Sequence, residues 1–278
     1  LQPPATKLAV DRDRLLPASL AWPPDRDAGH QQQHQADPEP AAEPPLASKQ
    51  QALTLTLTDW INNGVIEGLA GSSFSIGNWT NNGTITETGG GTAGLYGTWI
   101  NHHTLGVSGG STLNLSGSGT WAATATALTT DAASQVQFFG SISNPGTLAL
   151  TGGGTYLWQG TSLLGGTATL SNGAVLTVTS AGGLLDGVTL NGDVNMATGV
   201  LTIVNGLTLN GTATVGTSSL GSYGYLNLVG SQTLGGTGHI VLGAHGGNGI
   251  RLTDNFTTLT IGAGITIHVQ NGGGVGWN

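Results

Sequence analysis

The chain has 278 residues, 49 of them Gly, no Cys and a formal net charge of −8. It is long enough for a sizeable core. The lack of Cys excludes a disulfide scaffold and a thiolate metal site, and no run reaches the ~18 apolar residues of a membrane-spanning helix.

Residues 1–50 and 51–278 are two different materials. Nine of the ten Pro lie between Pro3 and Pro45, and five of the six basic residues (Lys7, Arg12, Arg14, Arg26, Lys49) lie in the first fifty positions. The stretch "QQQHQADPEPAAEPP" at the centre of this segment has too little apolar surface to offset the entropy of ordering it. Residues 1–50 therefore read as a disordered leader. The chain opens on Leu with no charged-then-apolar segment, so no signal peptide is visible. The ending "GGGVGWN" resembles a cut within a pattern. The expectation is a fragment of a longer reading frame, lacking at least one end cap.

From residue 51 the chain is Gly, Thr, Ser, Asn, Leu and Val, with one basic residue, Arg251, and seven acids. "ALTLTLT" places Leu53, Leu55 and Leu57 on one side and Thr54, Thr56 and Thr58 on the other, the period of two of a strand. Apolar-x-apolar triplets recur at Leu113–Leu115, Leu148–Leu150, Leu201–Ile203, Leu207–Leu209, Leu226–Leu228, Leu259–Ile261 and Ile265–Ile267. Between them sit "NNG", "SGG", "GGG" and "NG" breaks, which supply the positive-φ positions of tight corners. No helical period follows residue 51.

Trp60, Trp79, Trp99 and Trp121 are spaced 19, 20 and 22 residues apart. The first three are followed by Asn62-Asn63-Gly64-Val65-Ile66, Asn81-Asn82-Gly83-Thr84-Ile85 and Asn101-His102-His103-Thr104-Leu105. The fourth copy, "TWAATATAL", keeps the Trp and the apolar end but loses the Asn. Like residues recurring at one length favour a solenoid over an antiparallel sandwich, because each residue then lies about 4.8 Å above its equivalent. Stacked Asn side chains can bond one another and stacked Trp rings can pack. Like charges at that spacing would repel, which fits the scarcity of Lys and Arg. Trp60, Trp79, Trp99 and Trp121 are thus a candidate ladder, either structural or ligand-contacting, and Asn62, Asn81 and Asn101 a candidate Asn ladder. Looser copies follow near 184–196, 203–215 and 229–241. The expected architecture is all-β: a single-stranded parallel β-solenoid of about eleven coils of about 20 residues, a rod of roughly 50 Å.

The phrases "LDGVTLNG", "LTIVNGLTLNGTATVG", "SQTLGGTGHIVLG" and "WTNNGTI" resemble the solenoid regions of large bacterial secreted and surface proteins, the autotransporter-passenger-like and filamentous-haemagglutinin-like adhesins. The resemblance covers roughly 51–278. It implies a right-handed parallel β-helix, export to the cell surface or beyond, and a role in adhesion or surface structure, with cell-surface glycans or other surface proteins as partners. It carries no catalytic motif.

The β-helix also serves polysaccharide lyases and hydrolases, which need converging carboxylates and, for a lyase, a basic residue. Here the acids are spread one per coil or fewer. Only Asp186 and Asp193 are close in sequence, and both adjoin Gly as turn residues do. Arg251 reads as a solvated loop residue. His102 and His103 are neighbours that would point to opposite faces of a strand, and they replace Asn63 and Gly64 of the first copy. His239, His245 and His268 are scattered, and "GGNG" at 246–249 lacks the Asp of a Ca²⁺-binding repeat, so neither metal nor cofactor is expected. The Trp row could alternatively serve a carbohydrate-binding module as a sugar platform. Thr54-x-Thr56 and Thr177-x-Thr179 locally match ice-binding ladders but do not recur at one coil position. Seven acids against one base argue against nucleic acid. The expectation is an extracellular or surface-exposed structural and adhesive rod, not an enzyme, with self-association through open solenoid ends.

Overall fold

The computed structural model describes residues 7–10, 54–69 and 71–276. They form an all-β solenoid of about ten turns of about 20 residues, every registered strand pair being parallel. The leader read as disordered lies outside the described residues except for Lys7–Val10, a strand paired in parallel with Val65–Gly68.

Three faces run the length of the stack. The first starts at residues 54–58 and continues through Ser73, Thr92, Thr112, Gln135, Thr155 and onward to Thr266–Val269. The second starts at residues 60–62 and ends at Gly274–Gly276. The third joins Val65–Gly68, Thr84–Thr88 and Thr104–Ser108 and ends at Leu259–Ile261. The first-face register advances 19, 19 and 20 residues from Thr54 to Thr112, which is the repeat seen in the sequence. It widens to 27 between Thr212, His239 and Thr266, where the corners at 216–224, 243–248 and 253–258 are longer.

Alternation sends every second side chain inward. The strand Ser73–Asn81 buries Phe74, Ile76 and Trp79. Inward residues stack into files, such as Ile66, Ile85, Leu105, Leu128 and Leu150 on the third face. Such files remove apolar surface from water turn after turn, and no turn has a core of its own.

The corner between the first and second faces takes a left-handed residue in each of the first five turns. Asp59 (φ 55°) and Asn78 (φ 49°) hold it in the first two turns and Gly97, Gly117 and Gly140 in the next three. Asn and Asp tolerate this region because their short polar side chains bond locally. Phe256, at φ 60° and fully exposed, is the exception among the described residues. No helix among the described residues is long and apolar enough to cross a membrane.

Candidate functional site

The repeated phrase occupies the corner and the start of the second face. Trp60, Trp79 and Trp99 are registered one above another, as are Asn62, Asn81 and Asn101. The phrase therefore recurs because each copy is the equivalent level of a new turn.

The rings of this file point inward. Trp79 and Trp99 are buried and stack with centroids 5.2 Å apart and planes within 5°, while Trp60 below them is half-buried against the core. Trp99 donates its indole N–H to Ser116 O at 3.1 Å. The two upper rings present no face to solvent, so a sugar platform built on them is closed off. What the corner does present is an open groove of about 450 Å³, lined by the outward file Ile61, Thr80 and Ile100 and by Trp60, with the nearly covered Trp79 and Trp99 at its edge.

Trp121 is not part of that file, which corrects the four-membered ladder. The turn advances by 20, placing Gly119 over Trp99 and Trp121 over Asn101. A Trp-to-Trp spacing of 22 in a turn of 20 shifts the ring by two positions, which keeps it inward but moves it into the Asn file. Gly119 is needed there, because a Cβ at that position would run into the Trp99 ring. The Asn file resumes one turn later at Asn144, which is buried and donates to Gly165 O and Thr167 O.

The Asn ladder is a chain of buried amides. Asn62 donates Nδ2–H to Asn81 Oδ1 at 2.8 Å, and Asn81 donates to Asn101 Oδ1 at 2.8 Å. Each also turns its corner: Asn62 Oδ1 accepts from Gly64 N–H and Asn81 Oδ1 from Gly83 N–H, while the Nδ2 groups reach Thr84 O and Thr104 O. Asn101 ends the run by donating to His103 O. An outer rung joins Asn82 to Asn63, and His102 and His103 take the next level above Asn82 and Gly83.

The five Asp carboxylates after residue 50 serve corners. Asp59 and Asp186 accept from Asn78 and Asn205 of the following turn at 3.1 and 2.7 Å. Asp193, Asp131 and Asp254 accept backbone N–H groups of Thr212, Gly109 and Gly230. Hydrogen bonds from the Ser134 side chain and then from the Gly109 N–H hold the Asp131 carboxyl below its ordinary pKa. No group of three or more His, Asp or Glu among the described residues could hold a metal ion. The Thr pairs do not build a file: Thr54 and Thr56 lie under Ser73 and Ser75, whereas Thr177 lies between Leu157 and Asn195.

Glu87 is the exception. In Thr84–Thr88 it occupies the inward position after Ile85, and Val107 occupies it one turn later. It is fully buried and neither carboxyl oxygen has a partner. Gly68 below it and Gly91 beside it leave the room, since a Cβ on either would collide with the carboxyl. Gly91 also interrupts a corner file of buried Ser72, Ser111 and Ser134. Burial raises its pKa from 4.5 to about 7. The alternation Thr-Ile-Thr-Glu-Thr could have revealed it, because a period of two places the carboxyl inside.

No protein-family model matches the sequence, and no curated protein or solved structure matches it.

Proposed function

We propose that this chain is the rod of a secreted or cell-surface protein, structural and adhesive rather than catalytic, of the kind represented by autotransporter-passenger-like and filamentous-haemagglutinin-like adhesins of bacteria. The observation that supports this most is the use of charge. Five Asp carboxylates are engaged at corners, and the outward files between them are mainly Thr, Ser, Asn and Gly. A rigid, weakly charged surface that repeats every 4.8 Å suits many weak contacts in a row better than one site of chemistry. Its partners on this reading are cell-surface glycans or other surface proteins outside the cell, with no cofactor and no nucleic acid.

Beads carrying many copies of the full chain test this. They are expected to adhere to glycan-bearing cells at least about a hundredfold more avidly than the free chain, the gain that multivalency provides, and to leave cell-wall and matrix polysaccharides uncleaved. Adherence no better than that of bare beads would overturn the adhesive role, and release of reducing or unsaturated ends would overturn the non-catalytic one.

A further inference from the structure

Arg251 is the only basic residue after Lys49. It belongs not to a loop but to the strand Gly249–Leu252, on the outward side of the second face. Its guanidinium carbon lies 3.4 Å from the centre of the Tyr225 ring. Gly249 sits directly above Tyr225 in register, and Arg251 folds back across it, its Nε in van der Waals range, 3.5 Å, of where a Cβ would be. No carboxylate pairs with the guanidinium among the described residues.

The aromatic surface continues around the corner. The exposed Tyr223 ring is 5.4 Å from Tyr225 and 5.0 Å from His245. His245 is fixed in turn, its Nδ1 accepting the Gly247 N–H at 2.8 Å, which assigns the ring proton to Nε2. Beside the cluster opens a recess of about 220 Å³, with Gly246, Gly247, Gly273 and Gly274 in its lining and Arg251 at its wall. Glycine lining leaves backbone rather than side chains facing the space. The volume falls below that of pockets for drug-sized ligands, about 300–1,000 Å³, and suits a single ring.

We infer that this cluster binds an acidic saccharide, a pyranose ring carrying a carboxylate. The guanidinium fork matches a carboxylate with two parallel hydrogen bonds, and it stays charged while stacked on Tyr225. The Tyr223 ring offers an apolar face to the C–H face of a sugar with a polar edge beside it. Backbone groups of the glycine corner serve the hydroxyls. An acidic peptide fits less well, since the recess is short and offers no row of side-chain pockets. The site does not depend on the adhesive reading, because binding is read in solution and adhesion on beads, so either can fail alone.

Calorimetric titration of the full chain with a trimer of galacturonic acid tests it, beside the same trimer with its carboxyls reduced to alcohols, a sulfated neutral trimer and hexaglutamate. The carboxylated trimer is expected to bind, and to weaken as salt is raised. The reduced trimer and Arg251→Gln are each expected to lose about tenfold or more, the effect of one charge-assisted hydrogen bond. The exposed Tyr223→Ala is expected to weaken binding several-fold with an unchanged thermal midpoint, which keeps the test valid if Arg251→Gln disturbs the fold. Absence of binding by the carboxylated trimer, equal binding of the reduced trimer or of hexaglutamate, preference for the sulfated trimer, or full retention of binding in both variants would each overturn the assignment.

Discussion

Glu87 and Asn81 show two outcomes for a polar side chain inside a narrow stack. Asn81 is matched above and below by its own kind, so four of its hydrogen bonds are made. Asn81→Ala leaves Asn62 and Asn101 short of partners in a buried file and is expected to cost on the order of 3 kcal/mol, with Asn62→Ala costing less because only one rung is lost. Urea denaturation of the two variants measures the difference, and equal losses would count against a continuous ladder. Glu87 has no such match. Its folded pKa of about 7 lies above its ordinary 4.5, so the folded state holds the proton more tightly than the unfolded one. The resulting stability is fully present below about pH 4.5, falls as pH rises from 4.5 to 7 and is flat beyond. The total change is on the order of 3 kcal/mol. Glu87→Gln is expected to remove that decline and to leave the protein more stable than the parent at pH 8. A denaturation midpoint for the parent that does not fall between pH 4.5 and 7 would show that the carboxyl finds partners.

At the level of strands and corners, the period of about twenty was legible because residues equivalent in two turns must tolerate one another at about 4.8 Å, and Trp, Asn and Gly do so most visibly. The Asn ladder could be read for that reason, and so could the alternation that set the faces. Trp121 could not be placed by counting Trp residues. Its spacing preserves the inward side and conceals a shift by two, which only the position of Gly119 betrays. The direction of the rings was equally hidden, since the left-handed residue at Asp59 and Asn78 inverts the alternation just before Trp60 and Trp79, while one further residue in the next turn, Thr98 after Gly97, restores the parity before Trp99. Arg251 was misplaced because its environment comes from Tyr225 in the previous turn and from an intervening Gly, neither of which is local in sequence. Gly119→Val is expected to unseat the Trp99 ring and cost about 1–3 kcal/mol by overpacking. Near-UV circular dichroism should show the stacked-indole signal of Trp79 and Trp99 weakened. A variant with parental stability and signal would contradict the close seating of that ring.

Along the whole molecule, stability is a sum over turns and their interfaces, so the ends matter. In the last described turn the inner file is open: Val269 and Ile261 are exposed, whereas Leu242 and Leu234 in the turn before are buried. Exposed strand edges and open apolar files recruit other chains. The 278-residue chain is expected to associate as its concentration rises, and Val269→Lys combined with Ile261→Lys to suppress this in sedimentation velocity. A single monomeric boundary for the parent at high concentration would oppose it.

The stacking of turns underlies the Asn ladder, the groove at the repeat corner, the proposed adhesive rod and the Arg251 cluster alike, and the absence of Cys makes it directly measurable. Spin labels on cysteines introduced at Thr92 and Thr155 span three levels of the first face, and those at Thr92 and Thr212 span six. At about 4.8 Å per level the separations are roughly 14 and 29 Å. Double electron–electron resonance should therefore give a distance that doubles from the first pair to the second, each as one narrow distribution. Distances that do not grow with the number of turns, or that spread broadly, would contradict a stacked rod.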